Sequence, residues 1–192
     1  AKTIRHFGGV DGVVINAGIA VSDSLEELDI EKWRRGLDIN LTSAFLMTKE
    51  MMSALRTQKM GGSIVYVASK NAFAPGAGFG GYSVTKAGML QLMRIAAIEG
   101  GAAGIRCNAI NPDAVFDNSK LWADGVREQR AAAHGVNPED LEDFYASRNI
   151  LKARVRSLDV ANSAAFLLSE ESSRTTGAVI AVDGGVSAAF PR

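Results

Sequence analysis

Residues 63–86 read SIVYVASKNAFAPGAGFGGYSVTK, and their opening strand decides the fold. The run Ser63 to Ser69 carries Ile64-Val65-Tyr66-Val67, apolar at every position instead of every second one. A strand that is apolar on both faces has to be covered on both, which is the situation of a parallel sheet between two helix layers. Three similar runs, Val10 to Asn16, Ile105 to Asn111 and Ala178 to Asp183, are separated by long helix-compatible stretches. Strands joined through helices pair in parallel by right-handed crossovers, so the sequence predicts an α/β layered fold.

Working outward, Ser24-Leu25-Glu26-Glu27 has the serine and glutamate spacing of a capping box and predicts a helix start ahead of Trp33 and Leu37. Leu41 to Leu55 continues at helical spacing with Phe45, Leu46, Met52 and Leu55, and Met47, Met51, Met52 and Met60 read as adaptable core packing. Tyr82 to Glu99 predicts a third helix and residues 157–171 a fourth. Ile4 and Phe7, at helical spacing before Gly8-Gly9, imply a chain that opens inside a helix, so a segment is expected to precede Ala1. Between Pro112 and Arg156 the periodicity fades into a polar stretch with Trp122, Phe144 and Tyr145. Open α/β sheets bind ligands beyond the carboxyl ends of their strands. Residues 113–156 are therefore expected to form a substrate lid inside one domain spanning 1–192.

Composition limits the function. The 192 residues hold 21 Lys plus Arg against 21 Asp plus Glu, a formal net charge of zero that offers neither nucleic acid nor a membrane surface an electrostatic attraction. No apolar run approaches the roughly 20 residues of a membrane span, and Ala1 to Phe7 lacks the apolar region of a signal peptide. Cys107 is the single cysteine, and His6 and His134 lie far apart, so neither a disulfide within the chain nor a metal site is expected; a reducing cytoplasm fits best.

Gly76-Ala77-Gly78-Phe79-Gly80-Gly81 formally matches the dinucleotide fingerprint. It fails on context: the strand ends near Ser69, Pro75 intervenes, and no acidic residue closes a following strand, because Glu99 ends a helix. The glycines read instead as a flexible loop leading to the helix of Tyr82.

The chemistry lies in Tyr82-Ser83-Val84-Thr85-Lys86, where a phenol and an ammonium four apart share one helix face. A nearby cation favours the phenolate, so Lys86 is expected to bring the Tyr82 pKa down from about 10 toward a useful acid/base range. Ser69, thirteen residues earlier, stands at a strand end where its hydroxyl can meet a substrate oxygen. Asn16-Ala17-Gly18 ends the preceding strand, and Asn40 enters the next helix, either as a functional amide or as one satisfied by backbone.

In this order and spacing the residues resemble the short-chain dehydrogenase/reductases. The likeness rests on Asn16-Ala17-Gly18, Asn40-Leu41-Thr42, Gly62-Ser63-Ile64-Val65 leading to Ser69, Tyr82 with Lys86, Asn111-Pro112, and Thr176-Gly177 with Val182-Asp183-Gly184-Gly185. It implies a Rossmann-like doubly wound parallel sheet and hydride transfer between NAD or NADP and a small hydroxy or carbonyl compound. By the same resemblance Tyr82 is the general acid/base, Lys86 lowers its pKa and holds the nicotinamide ribose, Ser69 orients the substrate oxygen, and Asn40 holds a water. Asn16, Ala17, Gly18, Pro112, Asp113 and Val115 join Tyr82 and Lys86 as implied cofactor contacts. Asn111 to Phe116, the 113–156 stretch and the ending Ala189-Phe190-Pro191-Arg192 are similar to the dehydrogenase part of bifunctional rhamnulose-phosphate aldolase/alcohol dehydrogenases, which implies lactaldehyde as a substrate.

The family's first strand, its TGxxxGxG turn and its first helices are not in this sequence, so the fold is expected to be truncated at its amino end. The pyrophosphate rests on that turn, at a helix amino end. Poor cofactor binding by these residues alone is expected, and Val10 to Asn16 should become a bare apolar strand edge. Homo-oligomerisation through the helices at 41–58 and 82–99 is a further expectation. The alternative to an enzyme is a non-catalytic fragment or assembly module. A serine hydrolase is excluded locally, because Val67-Ala68-Ser69-Lys70-Asn71 lacks the GxSxG elbow.

Overall fold

The computed structural model describes residues 2–190; Ala1, Pro191 and Arg192 lie outside the described residues, and with the last two the end of the carboxyl-terminal resemblance. Four strands, β1 (Gly12–Ile15), β2 (Gly62–Val67), β3 (Ile105–Pro112) and β4 (Val179–Val182), form one sheet in the order β1-β2-β3-β4. Every pairing is parallel, with Val14 opposite Val65 and Val65 opposite Asn108. All four fall inside the runs read from the sequence, allowing for one residue at an end.

Alternation along β2 divides the core. Ile64 and Tyr66 face α3 (Ser43–Gln58) and α4 (Gly80–Gly100), where they pack with Leu55, Met52, Met89 and Met93. Val65 faces the other way, with Ile110 of β3 and with Ala164 and Leu167 of α7 (Ser157–Leu168). The continuous apolar pattern of β2 thus fills two cores at once. Tyr66 is fully buried on the first side, and its hydroxyl is matched by Thr48 at 2.7 Å. Met51 and Met52 enter the core as expected, whereas Met47 and Met60 are exposed.

Two helix boundaries depart from the sequence reading. Ser24 does not cap a helix: Glu27 and Leu28 N–H groups bond its carbonyl in a turn, and α2 (Ile30–Leu37) starts after Asp29. The Asp29 carboxylate accepts from the Glu31 and Lys32 N–H groups, at 2.8 and 3.2 Å, and takes the cap because it stands next to the orphan donors. The fourth helix ends at Leu168 rather than at 171, where Ser169 turns the chain into a short 3₁₀ segment, Glu170–Ser172. Between α2 and α3, Asp38–Thr42 form a π turn in which the Ser43 N–H reaches the Asp38 carbonyl. Such bulges often mark functional sites, and this one carries Asn40.

At the amino end α1 (Lys2–Phe7) has no buried residue. β1 pairs only with β2, as β4 pairs only with β3, and Val14 is 39% exposed, so the β1 edge of the sheet is open among the described residues. The 113–156 region holds α5 (Val126–His134) and α6 (Leu141–Arg148). They pack on each other around Ala131, Leu141 and Tyr145, with Phe116 stacked on Trp122 at 4.0 Å. No described helix is long and apolar enough to cross a membrane.

Candidate active site

Tyr82, Ser69, Lys86 and Asn40 meet at the carboxyl ends of β1 and β2, and each is at most 6% exposed. Ser69 follows β2 in extended conformation and its hydroxyl accepts from the Asn71 N–H at 3.2 Å, which holds the side chain at the strand end. Tyr82 lies in the first turn of α4, its ring packed on Phe79 with centroids 4.9 Å apart. One turn later Lys86 lies with its Nζ 5.6 Å from the Tyr82 ring centroid and donates to the Val67 carbonyl at 2.8 Å. The loop, the strand end and the helix thus bring a phenol, a hydroxyl and an ammonium together, as the sequence spacing implies.

The electrostatics reverse one expectation. Burial pushes the Tyr82 phenol up to about 12; the neighbouring Ser69 hydroxyl opposes this and the Asp113 carboxylate adds to it. Burial also pushes Lys86 down to about 8. In the free protein Lys86 therefore does not bring Tyr82 toward neutrality. Its ammonium is turned to a main-chain carbonyl, and loss of solvent outweighs any attraction between the two groups.

Asn40, fully buried, acts as a clasp. Its amide nitrogen donates to the Ile19 carbonyl (3.0 Å) and to Thr85 Oγ1 (3.1 Å), while its oxygen accepts from the Ile19 N–H (2.8 Å). Thr85 in turn donates to the Tyr82 carbonyl at 2.7 Å. Both amide N–H groups are spent on protein, so a water at this amide has only the oxygen's remaining lone pair. Backbone and Thr85 thus satisfy the Asn40 amide in this structure.

Asn16, Ala17 and Gly18 are exposed just beyond β1. A Cβ at Gly18 would stand 3.4 Å from Asn40 Oδ1 and 3.5 Å from Lys86 Nζ, so this backbone lies against two members of the site. Pro112 closes β3, Asp113 is buried, and Val115 uses its carbonyl to receive Trp122 Nε1 at 2.7 Å. Asp113 lies close enough to influence Tyr82, whereas Val115 is engaged with Trp122 inside the 113–156 region.

Two buried polar side chains beside these residues, Asn111 and Lys70, escape sequence reasoning. Asn111, 2% exposed at the end of β3, has neither amide atom bonded. Buried polar groups are nearly always paired, so this orphan amide is an open valence at the ligand edge of the sheet. Lys70 is buried, with its ammonium on the Ala74 carbonyl, and burial lowers its pKa against the pull of Asp113. Asp113 is correspondingly raised by burial, opposed by Lys70. The adjacency of Lys70 to Ser69 and of Asn111 to Pro112 was the available signal. Nothing local announces that these side chains are buried. Among the described residues no three His, Cys, Asp or Glu side chains converge as metal ligands do.

The resemblance implies a nicotinamide dinucleotide, and the residues present have open hydrogen-bonding capacity for its ribose and nicotinamide end. Lys86 has N–H donors beyond the one given to Val67, Gly18 leaves its approach free of a side chain, and Asn111 offers a free donor and acceptor.

The 113–156 region packs against this site. Gln129 of α5 accepts from Ser22 Oγ at 2.6 Å, and Leu121 packs into the cluster of Val21, Phe79 and Tyr82. Elsewhere in the same region, Asp117 receives the Ser157 N–H and hydroxyl and ties it to the start of α7.

Comparison with known proteins agrees with this fold. A family model described as enoyl-(acyl carrier protein) reductase matches residues 1–187. An uncharacterized oxidoreductase of Bacillus subtilis (strain 168), YuxG, is 41% identical over 186 residues, covering 97% of this chain but only 27% of that protein. The L-rhamnose 1-dehydrogenase (NAD(P)(+)) of Azotobacter vinelandii is 33% identical over 192 residues, with 97% of this chain and 68% of that one covered. The crystal structure of levodione reductase superimposes with a TM-score of 0.86 at 30% identity, covering 98% of this chain and 71% of the other.

Proposed function

The chain belongs to the short-chain dehydrogenase/reductase family, and from that premise we propose that it is an oxidoreductase domain acting on a small hydroxy or carbonyl compound with NAD or NADP. The observation that carries the reading is the convergence of Ser69 and Lys86 on a buried Tyr82.

Each residue has a task in this reading. Tyr82, held protonated by burial, gives its proton to the substrate oxygen when a carbonyl is reduced and takes it back in the reverse direction. Ser69 hydrogen-bonds the same oxygen and fixes its position. Lys86, pushed down to about 8, is still mainly an ammonium at pH 7; its charge offsets the phenolate formed when Tyr82 has lost its proton. Lys86, Gly18 and Asn111 hold the ribose and nicotinamide, with Asn16, Ala17, Pro112 and Asp113 around them, and the bound nicotinamide supplies or accepts the hydride. Asn40 keeps the segment after β1 against α4, so that cofactor and phenol share one frame. Residues 113–156 act as the substrate lid and exclude water from the reacting atoms.

Lactaldehyde is the substrate we propose, in a longer polypeptide that also carries a rhamnulose-phosphate aldolase part; the proposal rests on the resemblance of Asn111 to Phe116 and of the 113–156 stretch. The residues here supply only one end of the dinucleotide site, so their own affinity for it is expected to be weak. A reducing cytoplasm suits the single, buried, free thiol of Cys107. A homo-oligomer is supported by Phe45, Leu46 and Met47 on α3 and Ile95 and Ile98 on α4, all exposed. The alternative of an assembly module draws on the open edge of β1.

Kinetics of Tyr82→Phe in the full-length protein decide between enzyme and module. Removing the proton donor should lower kcat by about 10²- to 10⁴-fold. Unchanged turnover with lactaldehyde and either dinucleotide would end the catalytic assignment.

A further inference from the structure

The loop Gly76-Ala77-Gly78-Phe79 has no phosphate to hold in the reading above, yet it is the place where the lid grips the helix of Tyr82. Arg130, on α5, is only 7% exposed, and its Nη1 donates to the Ala77 carbonyl at 3.0 Å. Its guanidinium carbon lies 5.1 Å from the centroid of the Phe79 ring. The glycines on either side of Ala77 admit this approach. A Cβ on Gly76 would already touch Arg130 Nη2 at 3.5 Å, and Gly78 has φ +67°, where a side chain is strained. Phe79 then packs on Tyr82, so Arg130 stands two contacts from the phenol.

The other arm of the guanidinium lies 3.0 Å from His134 Nε2, one turn further along α5. Arginine has donors only, so this imidazole nitrogen must present its lone pair. None of the ion pairs among the described residues includes Arg130. A buried guanidinium held by a carbonyl and a neutral ring is costly, and an apolar side chain would fill the space at less cost. The arrangement makes sense where direction matters: a planar fork can fix the loop and the ring together.

We infer that Arg130 is a positioning residue for the reaction: by clamping the Ala77 carbonyl and stacking on Phe79, it sets the Tyr82 ring and makes its placement depend on a closed lid. The inference rests on the reading of Tyr82 as the proton donor.

The protein contains three tyrosines, so labelling with 3-fluorotyrosine gives three fluorine signals, and the one lost in Tyr82→Phe identifies Tyr82. Arg130→Met is expected to shift and broaden the Tyr82 signal while the signal of Tyr66, in the core beyond the loop, stays in place. Turnover should fall about ten- to hundredfold, as a misplacement of an ångström or less can produce, with the cofactor KM unchanged. Arg130→Lys, which keeps one donor for Ala77, should regain part of kcat. A Tyr82 signal and a kcat that both match the wild type in Arg130→Met would overturn the inference. If that variant unfolds and moves Tyr66 as well, Arg130→Gln, polar but too short to reach Ala77, decides: a displaced Tyr82 signal with Tyr66 in place supports the positioning role, and both signals unmoved with full kcat refute it. Turnover intact in Tyr82→Phe would overturn the functional reading beneath; turnover lost there but retained in Arg130→Met overturns only the role of Arg130.

Discussion

Replacing Asn40 by alanine should destabilise the protein by about 3 kcal/mol, from three lost hydrogen bonds at about 1 kcal/mol each. The bonds are those to the Ile19 N–H, the Ile19 carbonyl and Thr85 Oγ1, at 2.8, 3.0 and 3.1 Å, from a side chain with no exposed surface. Ile19 keeps its polar groups in partly buried surroundings when the amide is removed, so water repays little of the loss. A domain of this size changes its Tm by about 2–4 °C per kcal/mol, so thermal denaturation followed by circular dichroism should show a fall of about 6–12 °C. Asn40→Asp is the stringent control. Its carboxylate can still accept from the Ile19 N–H but faces the Ile19 carbonyl without a proton to give, and should be no more stable than the alanine variant. A fall of less than about 2 °C in Asn40→Ala would show that the clasp contributes little, and would return the amide to a purely chemical role.

Gly36→Ala should cost about 1–3 kcal/mol in urea denaturation, because the new Cβ would meet Val21 Cγ2 at 2.5 Å, and Val21 packs in turn on Phe79 and Tyr82; wild-type stability would mean that the Val21 segment yields freely. Burial pushes the Cys107 thiol up to about 12, so a thiol reagent at pH 8 should leave the native protein unmodified and label it at once in denaturant. Its linkage has a definite sign. Between pH 9 and 12 the unfolded thiol ionises while the native one stays protonated, so this group lowers stability as pH rises across that window. Rapid labelling of the native protein at pH 8 would contradict the closed core around β3.

The sheet was legible because the requirement that shaped it is local. A strand covered on both faces must be apolar throughout, and Ile64 to Val67 satisfy that within four residues. The pairing of Tyr82 with Lys86 was legible for the same reason, since helical geometry alone puts them on one face. What could not be read is the protonation. It depends on burial under residues of the 113–156 region, far away in the chain, and on the Val67 carbonyl, which takes the ammonium of Lys86. Asn40 and Ile19 are 21 residues apart, and the clasp exists only once α3 and the segment after β1 have docked. The misread cap at Ser24 has another origin: two good caps, Ser24 and Asp29, lie within one short stretch, and the carboxylate nearer to the donors prevailed.

The direction of these pKa shifts bears on which half of the proposed reaction the resting protein favours. A phenol pushed up to about 12 is a ready donor and a reluctant base, and the Asp113 carboxylate pushes it the same way. Carbonyl reduction needs the donor, so that direction starts from the state the fold already stabilises. Alcohol oxidation needs the phenolate, and among the described residues the cation over the ring is Lys86, held at the Val67 carbonyl with its own charge weakened by burial. Substitution of Asp113 by asparagine removes the opposing charge and should ease Tyr82 ionisation, so under the proposed function it favours oxidation over reduction. The buried Lys70 limits the size of that effect, because it already offsets part of the Asp113 charge. Lys70 and Asp113 therefore have to be considered as one unit: the charge that reaches Tyr82 is what remains of the carboxylate after the lysine beside Ser69 has partly compensated it.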